Sequence, residues 1–366
     1  MNAYRKITYT VITFIFFLTP IEIALRILNH KYHFTQTKII HTSIQNTDFP
    51  LFEYDPNTGW KNKPNAQGIF KIPDRESFVK INSFGFRGEN LSPQKTHKKR
   101  IMFFGDSFTW GYGVSNSETF IEKLSSLFPK DSLELINCGV PGYGTDQEYL
   151  YFKKIGSLWK PDIVILLLFD YDIAVDNIRG NHENGYLKPY FDFDDHGSLI
   201  LKNHPVKKFI PKDEKKVTPS VQLKYTYLPL TYQILSQRLR FLKYDILKTN
   251  KTLWNFSLKL KSKKDLHKGF FITREILKLF KAEADTLGAT LIVVAGHEQS
   301  HLQKNPSINL IALKDFFQKN NILYIDPYES LYRENKKNPL YFQHDSHWNA
   351  HGHEIMAHIL YQKLQL

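Results

Sequence analysis

The sequence predicts an α/β fold: a five-stranded parallel sheet covered by helices on both faces. Three observations predict it. Short apolar runs alternate with helix-length amphipathic stretches from about residue 99 to the end of the chain. One run, Asp162-Ile-Val-Ile-Leu-Leu-Leu-Phe169, is apolar almost throughout, as a strand buried on both faces must be. And 366 residues, 42% of them hydrophobic, suffice for one large core with additions.

The elements follow in order. Ile101–Phe104 is the first strand, ending at Gly105, with a helix near Glu118–Leu127. Leu133–Gly139 is the second, with a helix near Gln147–Ile155. Asp162–Phe169 is the third. After a long insertion come a helix at Thr273–Leu287, the strand Thr290–Ala295, a helix near Leu310–Gln318, the strand Ile322–Ile325 and a last helix at Ala350–Leu364. Residues 29–98, with four prolines and short aromatic patches, read as a juxtamembrane segment with a few short strands, and 99–366 as the main domain.

Ahead of these elements, Ile7–Ile21 carries no charge, and counting on to Leu28 gives 22 residues, within the roughly 17–25 a spanning helix needs. Glu22 and Arg26 stand four apart, in the favourable order for a helical ion pair. No small-residue cleavage site follows. The expectation is an uncleaved transmembrane signal-anchor over 7–28 with a cytoplasmic tail, 1–6. The protein is then single-pass in the membrane, with the rest of the chain on the exported (periplasmic or extracellular) side.

Composition removes several classes. One cysteine, Cys138, excludes an intramolecular disulfide and a cysteine-ligated metal cluster. Net charge is +13, yet Leu199–Phe270 holds 17 Lys/Arg against four acids and the remainder is balanced. Basicity confined to one insertion (178–269) argues against a diffuse nucleic-acid binder. Within it, Leu228, Leu230, Ile234, Leu235, Leu239, Leu242 and Ile246 recur at helical spacing beside Arg238, Arg240, Lys243 and Lys248, and Lys259, Lys261, Lys263 and Lys264 follow. The segment reads equally as a structural cap and as a surface for anionic lipid or acidic polysaccharide.

In parallel sheets, chemistry gathers at the carboxyl ends of strands. The first strand ends Gly105-Asp106-Ser107, where a serine hydroxyl at a strand-to-helix turn is exposed beside a helix N-terminus. By itself the tripeptide is an ordinary helix cap. The second ends Asn137-Cys-Gly-Val-Pro-Gly142-Tyr-Gly144, a turn whose glycine N–H groups can approach a substrate oxygen. Near the C-terminus, Asp345-Ser-His347 precedes the last helix, with Asn349 at its start. A base and a carboxylate to orient it are what a serine nucleophile requires. Five histidines between His344 and His358 also raise a metal site, but no H-E-x-x-H motif is present, and neither metal nor cofactor is expected. His297 and His301, after the fourth strand, have two readings, a rim of the site and plain loop polarity, of which the second is preferred.

Taken together, Gly105-Asp106-Ser107, Asn137…Gly142 and His347-x-Asn349-x-x-Gly352-His353 resemble the SGNH (GDSL-type) hydrolase superfamily over about 99–177 and 270–366. With the N-terminal run and the stretch Ile81-Asn-Ser-Phe-Gly-Phe-Arg-Gly88, the chain looks like its membrane-anchored branch. The resemblance implies a three-layer α/β/α sandwich, Ser107 as nucleophile, His347 as base, Asp345 as its orienter, and the Ser107 and Gly142 N–H groups as oxyanion donors. Two departures stand out. Tyr171 occupies the place of an asparagine that usually supplies a further oxyanion donor; its hydroxyl is itself a donor and a candidate for that place, with Asn177 nearby in sequence. And Asp345 lies two residues before His347, where three is more familiar.

The expected function is a serine esterase or acyl transferase working through an acyl-serine on O-acyl groups of an envelope glycan. Water as acceptor gives hydrolysis, a sugar hydroxyl gives transfer, and the sequence leaves both open. The alternatives are a lipase or thioesterase, and a non-catalytic glycan-binding component on the same fold. Expected partners are an acylated carbohydrate or other ester, and the membrane; nucleic acid is not one.

Overall fold

The computed structural model describes residues 51–95, 99–130, 132–174, 176–181, 186–208, 263–303 and 306–364. They fall in one compact unit, which spans 41–209 and 263–366. The central sheet has five parallel strands: β5 (Lys99–Phe104), β6 (Leu133–Asn137), β7 (Ile163–Phe169), β10 (Thr290–Gly296) and β11 (Leu323–Ile325), in the order β11-β10-β7-β5-β6. All five sequence-predicted strands are present, within two residues of the expected bounds.

Alternate side chains of the inner strands feed two cores. Met102, Phe104, Val164, Leu166, Leu168, Val293 and Ala295 face α3 (Thr145–Trp159) and α5 (Lys263–Thr286). Ile101, Phe103, Ile163, Ile165, Leu167, Ile292 and Val294 face α2 (Phe120–Ser126) and α10 (Ala350–Leu364). This period-two partition of a wholly apolar strand makes the sheet a middle layer. The remaining helices are α1 (Ser107–Trp110), α4 (Asp170–Ala174), α6 (Gln299–Gln303), α7 (Ile308–Ala312), α8 (Lys314–Lys319) and α9 (Tyr328–Lys337). The helix expected near 310–318 is thus two short ones, and α5 begins ten residues before the expected Thr273.

Two antiparallel hairpins precede the sheet: β1 (Phe52–Asp55) with β2 (Gly59–Asn62), and β3 (Gln67–Lys71) with β4 (Glu76–Lys80). Their buried residues Phe52, Phe70, Ile72 and Val79 share a core with Trp110, Val114 and Phe342, so the hairpins wrap the end of α1. A third hairpin, β8 (Tyr190–Phe193) with β9 (Leu199–Lys202), opens the insertion.

The single-pass membrane localisation is corrected. Among the described residues no helix is long and apolar enough to cross a membrane. The longest, α5, carries ten charged residues in 24, a composition the hydrocarbon core of a bilayer does not accept. The expected anchor over 7–28, the basic helix over 228–248, and Lys259 and Lys261 lie outside the described residues.

Candidate active site

The site forms where β5 gives way to α1. Asp106 caps the helix, its carboxylate accepting the Phe108 N–H at 2.9 Å, and Ser107 takes the first helical position. Ser107 Oγ lies 2.6 Å from His347 Nε2, placed to donate to it. On the other side of the ring, His347 Nδ1 is 2.5 Å from Asp345 Oδ1, which also accepts the His347 backbone N–H at 2.9 Å. The three residues predicted as a catalytic set are therefore in one hydrogen-bonded line, and the two-residue spacing lets one carboxylate oxygen hold both ring and backbone of the histidine. Burial works to raise the Asp345 carboxyl, but the His347 hydrogen bonds and charge outweigh it and hold the group below its ordinary value. The imidazole lies between two rings: Tyr112 stacks on it at 4.3 Å between centroids, and Phe108 packs at 4.8 Å.

The second predicted loop packs against α1. A side chain at Gly139 would stand 2.4 Å from the Trp110 backbone nitrogen, so only glycine permits this approach. The loop is tied to the first strand end by Val140 N–H to Gly105 O, at 3.1 Å. The Asn137 side chain donates to Thr109 O and accepts from the Gly139 N–H. Among the described residues none accepts a hydrogen bond from the Ser107 or Gly142 N–H. Tyr171 lies exposed on α4, directly after β7. Asn177 does not replace the missing amide. It is fully buried, its oxygen accepting the Asp146 N–H and its nitrogen donating to Thr273 Oγ1.

The C-terminal histidines divide by role. His344 is exposed and paired with Asp74, whose carboxylate also accepts its backbone N–H, joining the loop after β3 to the loop that carries Asp345 and His347. His353 is buried with Nδ1 accepting the Phe120 N–H, and burial pushes it down to about 3. Among the described residues no group of three or more His, Cys, Asp or Glu could hold a metal ion. His297, read as loop polarity, is instead fully buried, with Nε2 2.8 Å from Asp326 Oδ1.

Arg87, in the stretch 81–88, has a structural role that sequence reasoning did not assign. Its guanidinium is buried against the Trp110 ring, at 4.4 Å, and donates to Trp110 O, Gly111 O, Val114 O and Asn116 Oδ1. The guanidinium thus ties the end of α1, at Trp110 O, to the turn that follows it through Gly111, Val114 and Asn116. Burial pushes Arg87 down to about 9. Arg87→Met keeps length and apolar contact but removes four donated hydrogen bonds and takes from Val114 O its donor. It is expected to destabilise the protein by roughly 2–4 kcal/mol, as measured by urea unfolding, since an orphaned buried acceptor costs about 1–3 kcal/mol and the bonds lost at the other three add to it.

A buried acidic group lies within electrostatic reach of Asp106. Asp146 is paired with Lys188, at 2.6 Å, both nearly inaccessible. Glu148 is buried with neither carboxylate oxygen hydrogen-bonded. Burial, then the charges of Asp172, Asp106, Asp146 and Asp176, pushes Glu148 well above its ordinary value; burial likewise brings Asp106 to about 6 and Asp176 to about 7. A carboxyl raised in the folded state keeps a proton that the unfolded chain releases, so stability falls as pH climbs from 4.5 towards the raised value. Glu148→Gln, which mimics the neutral acid, is expected to raise Tm by a few degrees at pH 8 and to leave it unchanged at pH 4 in thermal melts.

No protein-family model matches the chain, and no curated protein matches it. Solved structures do. A member of the lipolytic protein G-D-S-L family from Veillonella parvula aligns at 14% identity over 73% of this chain and 98% of its own, with a TM-score of 0.39. A catalytic mutant of Axe2, an acetylxylan esterase from Geobacillus stearothermophilus, aligns at 13% over 73% and 94%, with a TM-score of 0.40. The lipase/acylhydrolase from Enterococcus faecalis aligns at 14% over 73% and 95%, also at 0.40.

Proposed function

We propose that the protein is a serine esterase or acyl transferase that cleaves ester bonds through an acyl-Ser107 intermediate. The observation that carries this reading is the continuous line Ser107 Oγ–His347 Nε2 and His347 Nδ1–Asp345 Oδ1, at 2.6 and 2.5 Å. Ser107 Oγ attacks the ester carbonyl as its proton passes to His347 Nε2. The Ser107 and Gly142 N–H groups receive the charge that develops on the carbonyl oxygen. Collapse of the tetrahedral intermediate breaks the ester C–O bond, and His347 returns the proton to the departing alcohol. Water, activated by the same histidine, then releases the acid, or a second hydroxyl takes the acyl group. Asp345 stays ionised throughout and holds the ring in the tautomer that accepts at Nε2.

For the substrate class we favour an O-acyl group on a glycan. Support comes from the exposed His344 imidazole, three residues before His347 and held by Asp74, a polar group of the kind that sugar hydroxyls bind. A fluorophosphonate probe tests the reading: covalent labelling confined to the peptide bearing Ser107 is expected, and a folded protein that resists labelling overturns it. Release of acetate from an acetylated oligosaccharide, compared with release of fatty acid from a long-chain ester, decides the substrate class.

A further inference from the structure

The loop Val140-Pro141-Gly142-Tyr143 is a β-turn closed by Tyr143 N–H to Val140 O, at 3.2 Å. Gly142 has φ of 77°, which with proline at the preceding position makes the turn type II. Types I and II differ by a half-rotation of the central peptide, here the one joining Pro141 to Gly142. In a trans peptide the C=O and N–H point in opposite directions. The direction of the Gly142 N–H is thus set by whatever holds the Pro141 oxygen. That partner is Trp60, whose Nε1–H donates to Pro141 O at 3.0 Å.

We infer that Trp60 is a positioning residue for the oxyanion donor: by binding the Pro141 carbonyl it keeps the turn in type II and the Gly142 N–H turned to the opposite side. The inference rests on the esterase reading and deepens it. Trp60 is well fixed for the task. It is buried on β2, packs edge-on to Tyr143 at 5.7 Å, and its own carbonyl accepts from the Tyr143 hydroxyl and from Thr58 Oγ1. Two residues along the same strand, and so on the same face, Asn62 Nδ2 donates to Gly139 O at 3.1 Å. The Val140 N–H of that neighbouring peptide points the other way, to Gly105 O. Alternate side chains of β2 therefore hold alternate carbonyls of the loop. Without Trp60 the flipped turn becomes accessible, and it presents a carbonyl oxygen where the donor is required.

Trp60→Phe in the full chain removes the N–H and keeps a packed ring. The expected result on p-nitrophenyl acetate is a fall in kcat of about 10- to 100-fold with KM within about twofold. Fluorophosphonate labelling of Ser107 slows by a similar factor, because its adduct also places an oxygen among the donors. Gly142→Ala, which disfavours positive φ, produces the same split, and the double variant is no worse than the poorer single one. A purely structural role for Trp60 would lower Tm and the fraction of labelled enzyme but leave kcat per labelled site unchanged. Wild-type kcat and labelling rate in folded Trp60→Phe overturn the inference. Should that variant not fold, wild-type kcat in Gly142→Ala overturns it instead. Wild-type protein that is itself unlabelled at Ser107 removes the esterase reading and this inference with it, whereas labelled wild type with an undiminished Trp60→Phe rate removes the inference alone.

Discussion

Ser107→Ala and His347→Ala are each expected to lower kcat for p-nitrophenyl acetate by roughly 10⁴- to 10⁶-fold with the far-ultraviolet spectrum near wild type; Tm holds in Ser107→Ala and falls in His347→Ala, which takes from Asp345 its partner and from Tyr112 and Phe108 a packed ring. The hydroxyl and the imidazole form one proton-transfer unit across 2.6 Å, and a unit missing either half loses nearly all of its advantage. The double variant should be no worse than the poorer single one. Folding is spared because the oriented groups at the nucleophile turn are backbone: Asp106 caps α1 and Arg87 holds its far end whatever side chain stands at 107. Steady-state kinetics on the three proteins checks this, and wild-type turnover in either single variant contradicts the triad.

Asp345→Asn should cost about 10⁴-fold in kcat, somewhat less than removal of the nucleophile. The carboxylate accepts from ring and backbone at once, and the amide that replaces it can offer its NH₂ to Nδ1, placing the ring proton on Nε2, where it faces Ser107 instead of accepting from it. Stability carries a second signature. The Asp345 carboxyl is depressed in the folded state, so its contribution is present above the unfolded value of 3.8 and is lost as pH falls through the folded value. Urea unfolding of Asp345→Asn against wild type should show a deficit at pH 7 that closes towards pH 3.

The sheet was legible because its strands are separated apolar runs, each ended by a glycine or a polar residue, and because a strand such as Ile163–Phe169 has no polar face to misread. The candidate catalytic set was legible for the same reason: Ser107 sits at a strand end and Asp345-Ser-His347 just before a helix, positions that local pattern exposes. What the pattern did not carry is the support behind the site. Trp60 reaches Pro141 across 81 residues, Arg87 reaches Gly111 across 24, and Lys188 reaches Asp146 across 42. A side chain bonding a distant carbonyl leaves no trace in hydropathy or spacing. Long charged residues usually lie at the surface, and nothing in the sequence marks Arg87 and Lys188 as exceptions. The hairpins of 52–80 escaped detailed reading for a related reason: strands of four or five residues between prolines give too few alternations to register a period. At the N-terminus, apolar length alone suggested an anchor, and composition could not go further.

The most direct test of the central claim is pre-steady-state hydrolysis of p-nitrophenyl acetate, with the protein quenched in acid and digested for mass spectrometry. The account predicts a burst of p-nitrophenol approaching one equivalent per enzyme wherever deacylation is the slower step, and in any case an acetyl group on the peptide bearing Ser107 that is absent from Ser107→Ala. Turnover with no acetyl on that peptide, or an equal acetyl signal in Ser107→Ala, would contradict it.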